Sequence, residues 1–334
     1  MNNMKVIIMG CGIMGRKVAQ ALMHKQSFAI VGALDIDPDL IGMDLGNLFS
    51  PPVAIGIRIE GSPDALLARV DADALVQTTS SHLAAVYPQI EPFVRAGLNV
   101  VSTCEELSYP WKRHPELAAK LDHMAKEAGV TVVGTGINPG YLMDSLPLTL
   151  TAPCLRVDAL RVTRMMNSAR RRIPFQRKVG TAMTPAEFRE KIAAGVITGH
   201  LGLLESINMI AAGLGWELDD ATELPPEPVI AESPTESGLG PVSLGNVLGL
   251  KSVAYGVKNG QHVITLEFIA HAGVTEEFDE IVVTGEPDIH QKILGGVHGD
   301  IGTVSMTINT IPKAAAAAPG LKVMSELPAP CAAT

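Results

Sequence analysis

The chain has 334 residues, more than twice the ordinary size of one domain, so two domains in one chain are expected. It is 47% hydrophobic, 18% charged and only 4% aromatic, which suits a globular α/β protein rich in small aliphatic side chains and excludes disorder over most of its length. A net charge of −9, with Arg170, Arg171 and Arg172 as the nearest thing to a basic run, argues against a nucleic-acid partner, whose phosphates need concentrated Lys and Arg.

Apolar runs alternate with helical patterns over the first half. KVIIMG (5–10), FAIVGALD (28–35), ALVQTT (74–79), NVVSTC (99–104) and TVVGTG (131–136) are short and nearly continuous, as strands buried on both faces are. Helices are read between them at about 12–25, 82–97 and 115–128, the last opened by Pro115 with Glu116 beside it. Strand–helix alternation implies right-handed crossovers and a parallel sheet.

After Pro139 the pattern changes. VDALRVTRMMNS (157–168) reads as a strand, and MTPAEFREKIAAG (183–195) as a helix capped by Thr184, with Pro185 first and Glu187 three positions after the cap. HLGLLESINMIAAGLG (200–215) is a second helix. Residues 225–241 hold Pro225, Pro226, Pro228, Pro234 and Pro241 and read as an exposed loop. SVAYGVKNGQHVITLEFIAH gives two alternating runs about an Asn259-Gly260 turn, a hairpin signal. GDIGTVSMTINTIPKAAAAAPGL (299–321) is helical with an interruption at Pro312. The expected architecture is therefore α/β: a doubly wound parallel sheet of the Rossmann type, then an α+β domain with an open mixed sheet. Residues 1–140 are read as the dinucleotide-binding domain, 141–298 as a substrate-binding and dimerisation domain, and 299–334 as a helix and tail returning to the first.

The chemistry starts where the first strand runs into Gly10-Cys11-Gly12-Ile13-Met14-Gly15. In this G-x-G-x-x-G the first glycine makes the turn and the second lets backbone approach a pyrophosphate. The third lets helix and strand pack closely, and the helix N-terminus favours the negative charge. Asp35, about twenty residues on at the end of the next strand, can accept from both ribose hydroxyls and would repel a 2′-phosphate; with Asp37 nearby, NAD is favoured, NADP remaining possible. The tails Thr78-Thr79-Ser80-Ser81-His82 and Ser102-Thr103-Cys104-Glu105-Glu106 leave strands at the carboxyl edge, where the nicotinamide should lie. Successive residues leaving a strand point different ways, so only one of Glu105 and Glu106 is expected to face the cleft, and Glu105 has a surface or helix-cap reading beside the functional one. Cys104 reads as a packing residue near the cofactor, His82 as a helix-start residue. Asn138 either bonds the nicotinamide carboxamide, caps a helix begun by Pro139, or both. The cysteines Cys11, Cys104, Cys154 and Cys331 lie far apart with no CxxC pair, so neither a zinc site nor a disulfide framework is suggested. MNNMKVIIMG enters a strand at once, and no stretch reads as a secretory signal or membrane span, so a cytoplasmic protein is expected.

Together GCGIMG, STCEELSYP, GTGINPGYLMD, GHLGLLESINMIAAGLGW and GDIGTVSMTINTIPKAAAAAPGL resemble the 2,4-diaminopentanoate dehydrogenase family over nearly the whole chain. That family includes the native NAD(P)H-dependent amine dehydrogenases and shares its architecture with dihydrodipicolinate reductases. The resemblance implies reversible oxidative deamination, an amine on one side and a carbonyl compound with ammonia on the other, with Glu105 at the position of the family's catalytic glutamate. Gly10, Gly12, Ile13, Met14, Gly15, Asp35, Thr79, Ser80, Cys104 and Asn138 are then the cofactor candidates, and Tyr141, Asn167 and His200 the substrate candidates. No metal is required, since hydride transfer belongs to the dinucleotide. The stretch 167–180, with its arginine triplet, departs from relatives and leaves the amine open. A homodimer through the second domain is expected, because an open sheet with apolar strands tends to bury a face against its copy. An imine or enamine reductase of the dihydrodipicolinate reductase kind, and a non-catalytic dinucleotide sensor, are the competing readings.

Overall fold

The computed structural model describes residues 3–332 and divides into two compact units, one made of residues up to Tyr141 with those from Gly299 onward, the other spanning Leu142–His298. The first unit is built on strands β1 (Met4–Met9), β2 (Phe28–Leu34), β3 (Ile59–Glu60), β4 (Ala74–Gln77), β5 (Asn99–Ser102) and β6 (Thr131–Gly134). A last strand, β14 (Gly320–Lys322), completes a seven-stranded sheet in the order β14-β6-β5-β4-β1-β2-β3, parallel throughout. The continuous apolar runs follow from burial of both faces: Val6, Ile7 and Ile8 are consecutive and fully buried. Helices Leu83–Arg95 and Pro115–Ala128 cover one face through Leu83, Val86, Ile90, Phe93 and Leu121. Helices Ile13–Leu22 and Gly299–Ala316 pack against each other, the latter also on β5, and Lys17 reaches Asp300 at 2.8 Å.

Strands β4, β5 and β6 stop two residues short of the apolar runs, at Gln77, Ser102 and Gly134, so Thr78–Thr79, Thr103–Cys104 and Thr135–Gly136 belong to exit turns along one edge. β3 and β14 were not apparent in the sequence. The expected break at Pro312 is absent. The helix runs unbroken from Gly299 to Ala316, because buried Val304, Ile308, Ile311 and Ala314 hold it on both sides of the proline.

The second unit carries β7 (Arg156–Asn167), β8 (Asp220–Glu223), β9 (Glu227–Ile230), β10 (Val247–Lys258), β11 (Gln261–His271), β12 (Phe278–Glu286) and β13 (Ile289–Leu294). Their order is β13-β12-β7-β11-β10-β8, with β9 also on β10; β7 and β11 are parallel and the other pairs antiparallel, so the sheet is mixed. The hairpin forms where the turn residues require it, with Asn259 and Gly260 at φ 52° and 71°. The helix at Pro185–Ala193 opens on the expected capping box, Thr184 accepting from the Glu187 amide at 3.2 Å and Glu187 from the Thr184 amide at 2.8 Å. The proline-rich stretch is not wholly loop. Glu227–Ile230 pairs with β10 despite Pro228, which an edge position tolerates because only one side of the strand has a neighbour. Helix Leu203–Gly213 packs on β10 and β11, whose Ile264, Leu266, Phe268 and Ala270 are buried.

Candidate active site

The turn after β1 shows why three glycines are needed. Gly10 sits at φ 86°, a conformation side chains disfavour, and a Cβ there would lie 2.8 Å from the Thr79 methyl. A Cβ on Gly15 would lie 1.7 Å from the Gly10 carbonyl oxygen, so helix Ile13–Leu22 can press against the turn only without one. At Gly12 a Cβ would meet nothing within 4 Å: the loop faces open space there. No side chain caps the helix and its first turn, which includes Ile13 and Met14, carries no acid. A backbone cradle at a helix N-terminus with space in front of Gly12 fits the pyrophosphate of a dinucleotide.

Beside it lies a cleft of about 330 Å³ whose walls include Gly10, Gly12, Asp35, Ile36, Pro63 and Thr79. Asp35 accepts from the Cys11 amide at 2.6 Å and the Asp37 amide at 3.0 Å, which aims its carboxylate at the loop and suits it to a ribose. Thr78 donates to the Gly10 carbonyl at 2.9 Å, tying the β4 exit to the glycine turn. Thr79 accepts from Gln77 and donates to Gln89, both at 2.5 Å, and Ser80 accepts from the His82 amide at 3.2 Å. Ile36, Gly61, Pro63 and Gln89 were missed in the sequence. Those at 61–63 follow the two-residue strand β3, which leaves no periodic signal, and Gln89 sits mid-helix.

Next along the edge, β5 passes into the turn Glu105–Ser108. Cys104 is fully buried, and burial, with a smaller push from the Glu105 and Glu106 charges, raises its thiol to about 12, so it is a packing group and no nucleophile. The two glutamates part company. Glu106 is buried and accepts from the Leu83 amide at 2.8 Å, His114 Nε2 at 2.8 Å, His82 Nδ1 at 3.1 Å and Arg113 Nη1 at 3.2 Å. Burial pushes its carboxyl up, but the bonds from His82, Leu83, His114 and Arg113 outweigh burial and bring it down to about 2. Glu105 is the half-exposed one of the pair. His82 is the cap residue of helix Leu83–Arg95, with its ring on Glu106.

Asn138 follows β6, but no helix begins at Pro139. Residues 138–144 form successive turns, and the next helix is Ser145–Leu150, capped by Asp144, whose side chain accepts from the Ser145 amide at 2.6 Å. The reading of Asn138 as a helix cap is therefore corrected: its short side chain sits in a turn with no helix to cap. Tyr141 closes this segment, half-buried, at the end of the first unit.

The other two substrate candidates belong to the second unit. Asn167, at the end of β7, spends its amide on its own chain, donating to the Val274 carbonyl at 2.8 Å and accepting from the Ala169 amide at 2.9 Å. His200 is half-buried and stacks on Phe268, ring centroids 4.3 Å apart. A cavity of about 240 Å³ within this unit is lined by Arg164, Arg170, Arg171, Glu277, Asp279 and His298 among others. Arg164 is almost completely buried. Its Nη2 donates to the Val297 carbonyl at 2.5 Å, its Nε lies 3.5 Å from Asp279 Oδ1, and its Nη1 has no hydrogen-bond partner among the described residues. Burial pulls the guanidinium below its ordinary range, with Asp279 opposing, and pushes Asp279 up.

A family model described as the 2,4-diaminopentanoate dehydrogenase C-terminal domain matches residues 141–334, and one described as the dihydrodipicolinate reductase N-terminus matches residues 4–134. A 2,4-diaminopentanoate dehydrogenase of Acetoanaerobium sticklandii is 34% identical over 99% of this chain and 95% of its own. An amine dehydrogenase of Streptomyces virginiae is 23% identical over 79% of this chain and 74% of its own. The solved amine dehydrogenase of Mycobacterium smegmatis superposes with a TM-score of 0.84 at 25% identity, covering 99% of this chain and 97% of the other.

The glycines give a sharp contrast. Gly12→Ala should fold normally and bind a dinucleotide at least tenfold more weakly, since its methyl enters the open space, whereas Gly15→Ala should lower the unfolding temperature outright. Thermal unfolding with and without NAD reads both, and equal behaviour of the two variants would contradict the geometry.

Proposed function

The chain belongs to the 2,4-diaminopentanoate dehydrogenase family and is a nicotinamide-dependent amine dehydrogenase, and we propose that Glu105 is the proton-transfer group of its reaction. The bound dinucleotide supplies the nicotinamide carbon that exchanges hydride with the amine-bearing carbon of the substrate. In this reading Gly10, Gly12, Ile13, Met14 and Gly15 hold the pyrophosphate, Asp35 the ribose, and Thr79, Ser80, Cys104 and Asn138 border the nicotinamide.

What is left for side chains is the movement of protons. An ammonium cannot release hydride from its carbon until one N–H proton leaves, because only the neutral nitrogen can push electrons into the forming C=N bond. A carboxylate takes that proton and passes it to solvent, and as the anion again it stabilises the iminium cation and deprotonates the water that adds to it; it returns that proton to the carbinolamine nitrogen, which leaves as ammonia while the hydroxyl gives up its proton and becomes the carbonyl. The observation that carries Glu105 in this role is its contrast with Glu106. Both leave β5 at the edge that carries the glycine turn, but Glu106 is buried with four donors on its oxygens, and Glu105 is the half-exposed member. Tyr141 and His200 are read as substrate-side groups. Asn167, with its amide bonded to its own chain, supports at most a shaping role there.

Two finer choices belong to the same reading. Asp35 and Asp37 put negative charge where a 2′-phosphate would lie, which favours NAD over NADP. The buried Arg164, its Nη1 without a hydrogen-bond partner among the described residues and beside Arg170 and Arg171, favours an amine that carries a carboxylate. A homodimer is read through the sheet face bearing Val253, Tyr255, Thr265 and Ile269, opposite the face under helix Leu203–Gly213.

Glu105→Gln should cut amine oxidation by roughly a hundredfold or more, the range of general acid–base catalysis, with NAD affinity little changed; an active variant would overturn the assignment. Steady-state assays pairing carboxylated amines with their decarboxylated counterparts, each with NAD and NADP, should give the highest kcat/KM for the carboxylated amine with NAD, and the opposite ranking in either comparison contradicts that choice. Light scattering should return about twice the chain mass of 35.2 kDa, and a monomer mass would dismiss the dimer.

A further inference from the structure

We propose that Glu106 is a positioning residue for Glu105: its carboxylate gathers three chain segments at the carboxyl edge of the first sheet and so fixes where the neighbouring side chain stands. This rests on the reading of Glu105 given above.

Glu105–Ser108 is a single 3₁₀ turn. Successive side chains in such a turn project about 120° apart, so two adjacent glutamates there point in different directions, and whatever locks one aims the other. Glu106 is the locked one. Its donors come from both flanks: His82 and Leu83 at the start of helix Leu83–Arg95, and Arg113 and His114 from the stretch after the turn. A carboxylate has about four lone-pair sites, so these four donors saturate it. Its own amide donates to the Ser81 carbonyl at 3.3 Å, and Leu107 donates to the Cys104 carbonyl at 3.1 Å. The far side of the turn lies on β6, where a Cβ on Gly134 would come within 2.5 Å of the Leu107 carbonyl carbon. The turn has no slack, and Glu105 has its place through that turn.

The arrangement also sets local charge. The titratable groups facing Glu106 are His82, Arg113 and His114, with Cys104 and Glu105 on its own turn. The Glu106 anion stands beside Glu105, a like charge that disfavours ionisation of Glu105. Removing that like charge favours the ionised form of Glu105.

The test is Glu106→Gln, which keeps the shape but offers one acceptor oxygen and one NH₂ group to the donors that now surround it. It should lower kcat for amine oxidation by about tenfold to a hundredfold, the scale of a small misplacement of a reacting group. NAD affinity should stay within about twofold, and the acidic limb of the pH–rate profile should move to lower pH. Added to Glu105→Gln, it should cause no further loss, because the effect acts through a side chain already removed. His82→Ala, at a side chain 60% exposed and so safe for folding, should lower kcat by a few-fold with the acidic limb unmoved, because the Glu106 anion stays in place, and it decides the matter if Glu106→Gln does not fold. An active Glu105→Gln would mean that the reading of Glu105 has failed. An inactive Glu105→Gln alongside wild-type kcat and pH profile in Glu106→Gln and His82→Ala, or losses that add in full in the double variant, would overturn the positioning role alone.

Discussion

At Gly15 the first helix comes so close to the end of the first strand that even a methyl group has no room, since it would fall 1.7 Å from the Gly10 carbonyl. That contact brings the helix N-terminus, and the partial positive charge of its amides, to the edge where every strand of a parallel sheet presents its carboxyl end. Asp35 then reaches the Cys11 amide, Thr78 reaches the Gly10 carbonyl, and the exits of β2 and β4 are drawn around the glycine turn. The cleft beside Gly12 is what remains. A dinucleotide site is thus a consequence of close packing at Gly15 together with bare backbone at Gly12, where no side chain fills the space in front of the turn.

Farther along the same edge, two adjacent residues of one chemical type are given opposite tasks by their surroundings. Burial alone would drive Glu106 toward the neutral acid, and it escapes that only because four donors converge on it. It becomes a fixed anion that structures the edge. Glu105 has a wetter environment and lies on a turn that its neighbour holds still. The second unit repeats the theme with opposite sign, where Arg164 is kept as a buried cation by Asp279 and the Val297 carbonyl. An uncompensated charge at such depth would cost several kcal/mol, and Asp279 supplies the compensation while Nη1 is left without a hydrogen-bond partner among the described residues.

Features that depend on local chemistry were readable from the chain alone. The glycine turn, the Asn259-Gly260 hairpin and the Thr184–Glu187 capping box each need particular residues at short spacing, and all are found where the spacing puts them. What stayed hidden depends on partners far away in sequence. β3 and β14 have two and three residues and exist only because a neighbouring strand is there to pair with. β9 contains a proline that only an edge position permits, and Pro312 sits in a helix that packing holds together against its local preference. For the site the same division applies. The pairing of Glu105 and Glu106 is plain in the sequence, but what separates them is a set of contacts from His82, Arg113 and His114 that no spacing rule announces. Asn138 misled for a related reason, since an Asn-Pro pair is a helix-start signal only when a helix follows, and here turns run on to Ser145.

An amine dehydrogenase moves hydride between an amine-bearing carbon and a nicotinamide, and isotope labelling follows that hydride. The most direct measurement uses a carboxylated amine deuterated at the carbon that bears the nitrogen, with mass spectrometry of the reduced dinucleotide and comparison of turnover with the undeuterated amine. One deuterium should appear in the dinucleotide, and turnover should be slower with the labelled substrate. Reduced dinucleotide without deuterium, or no reduction with any primary amine, would contradict that hydride transfer.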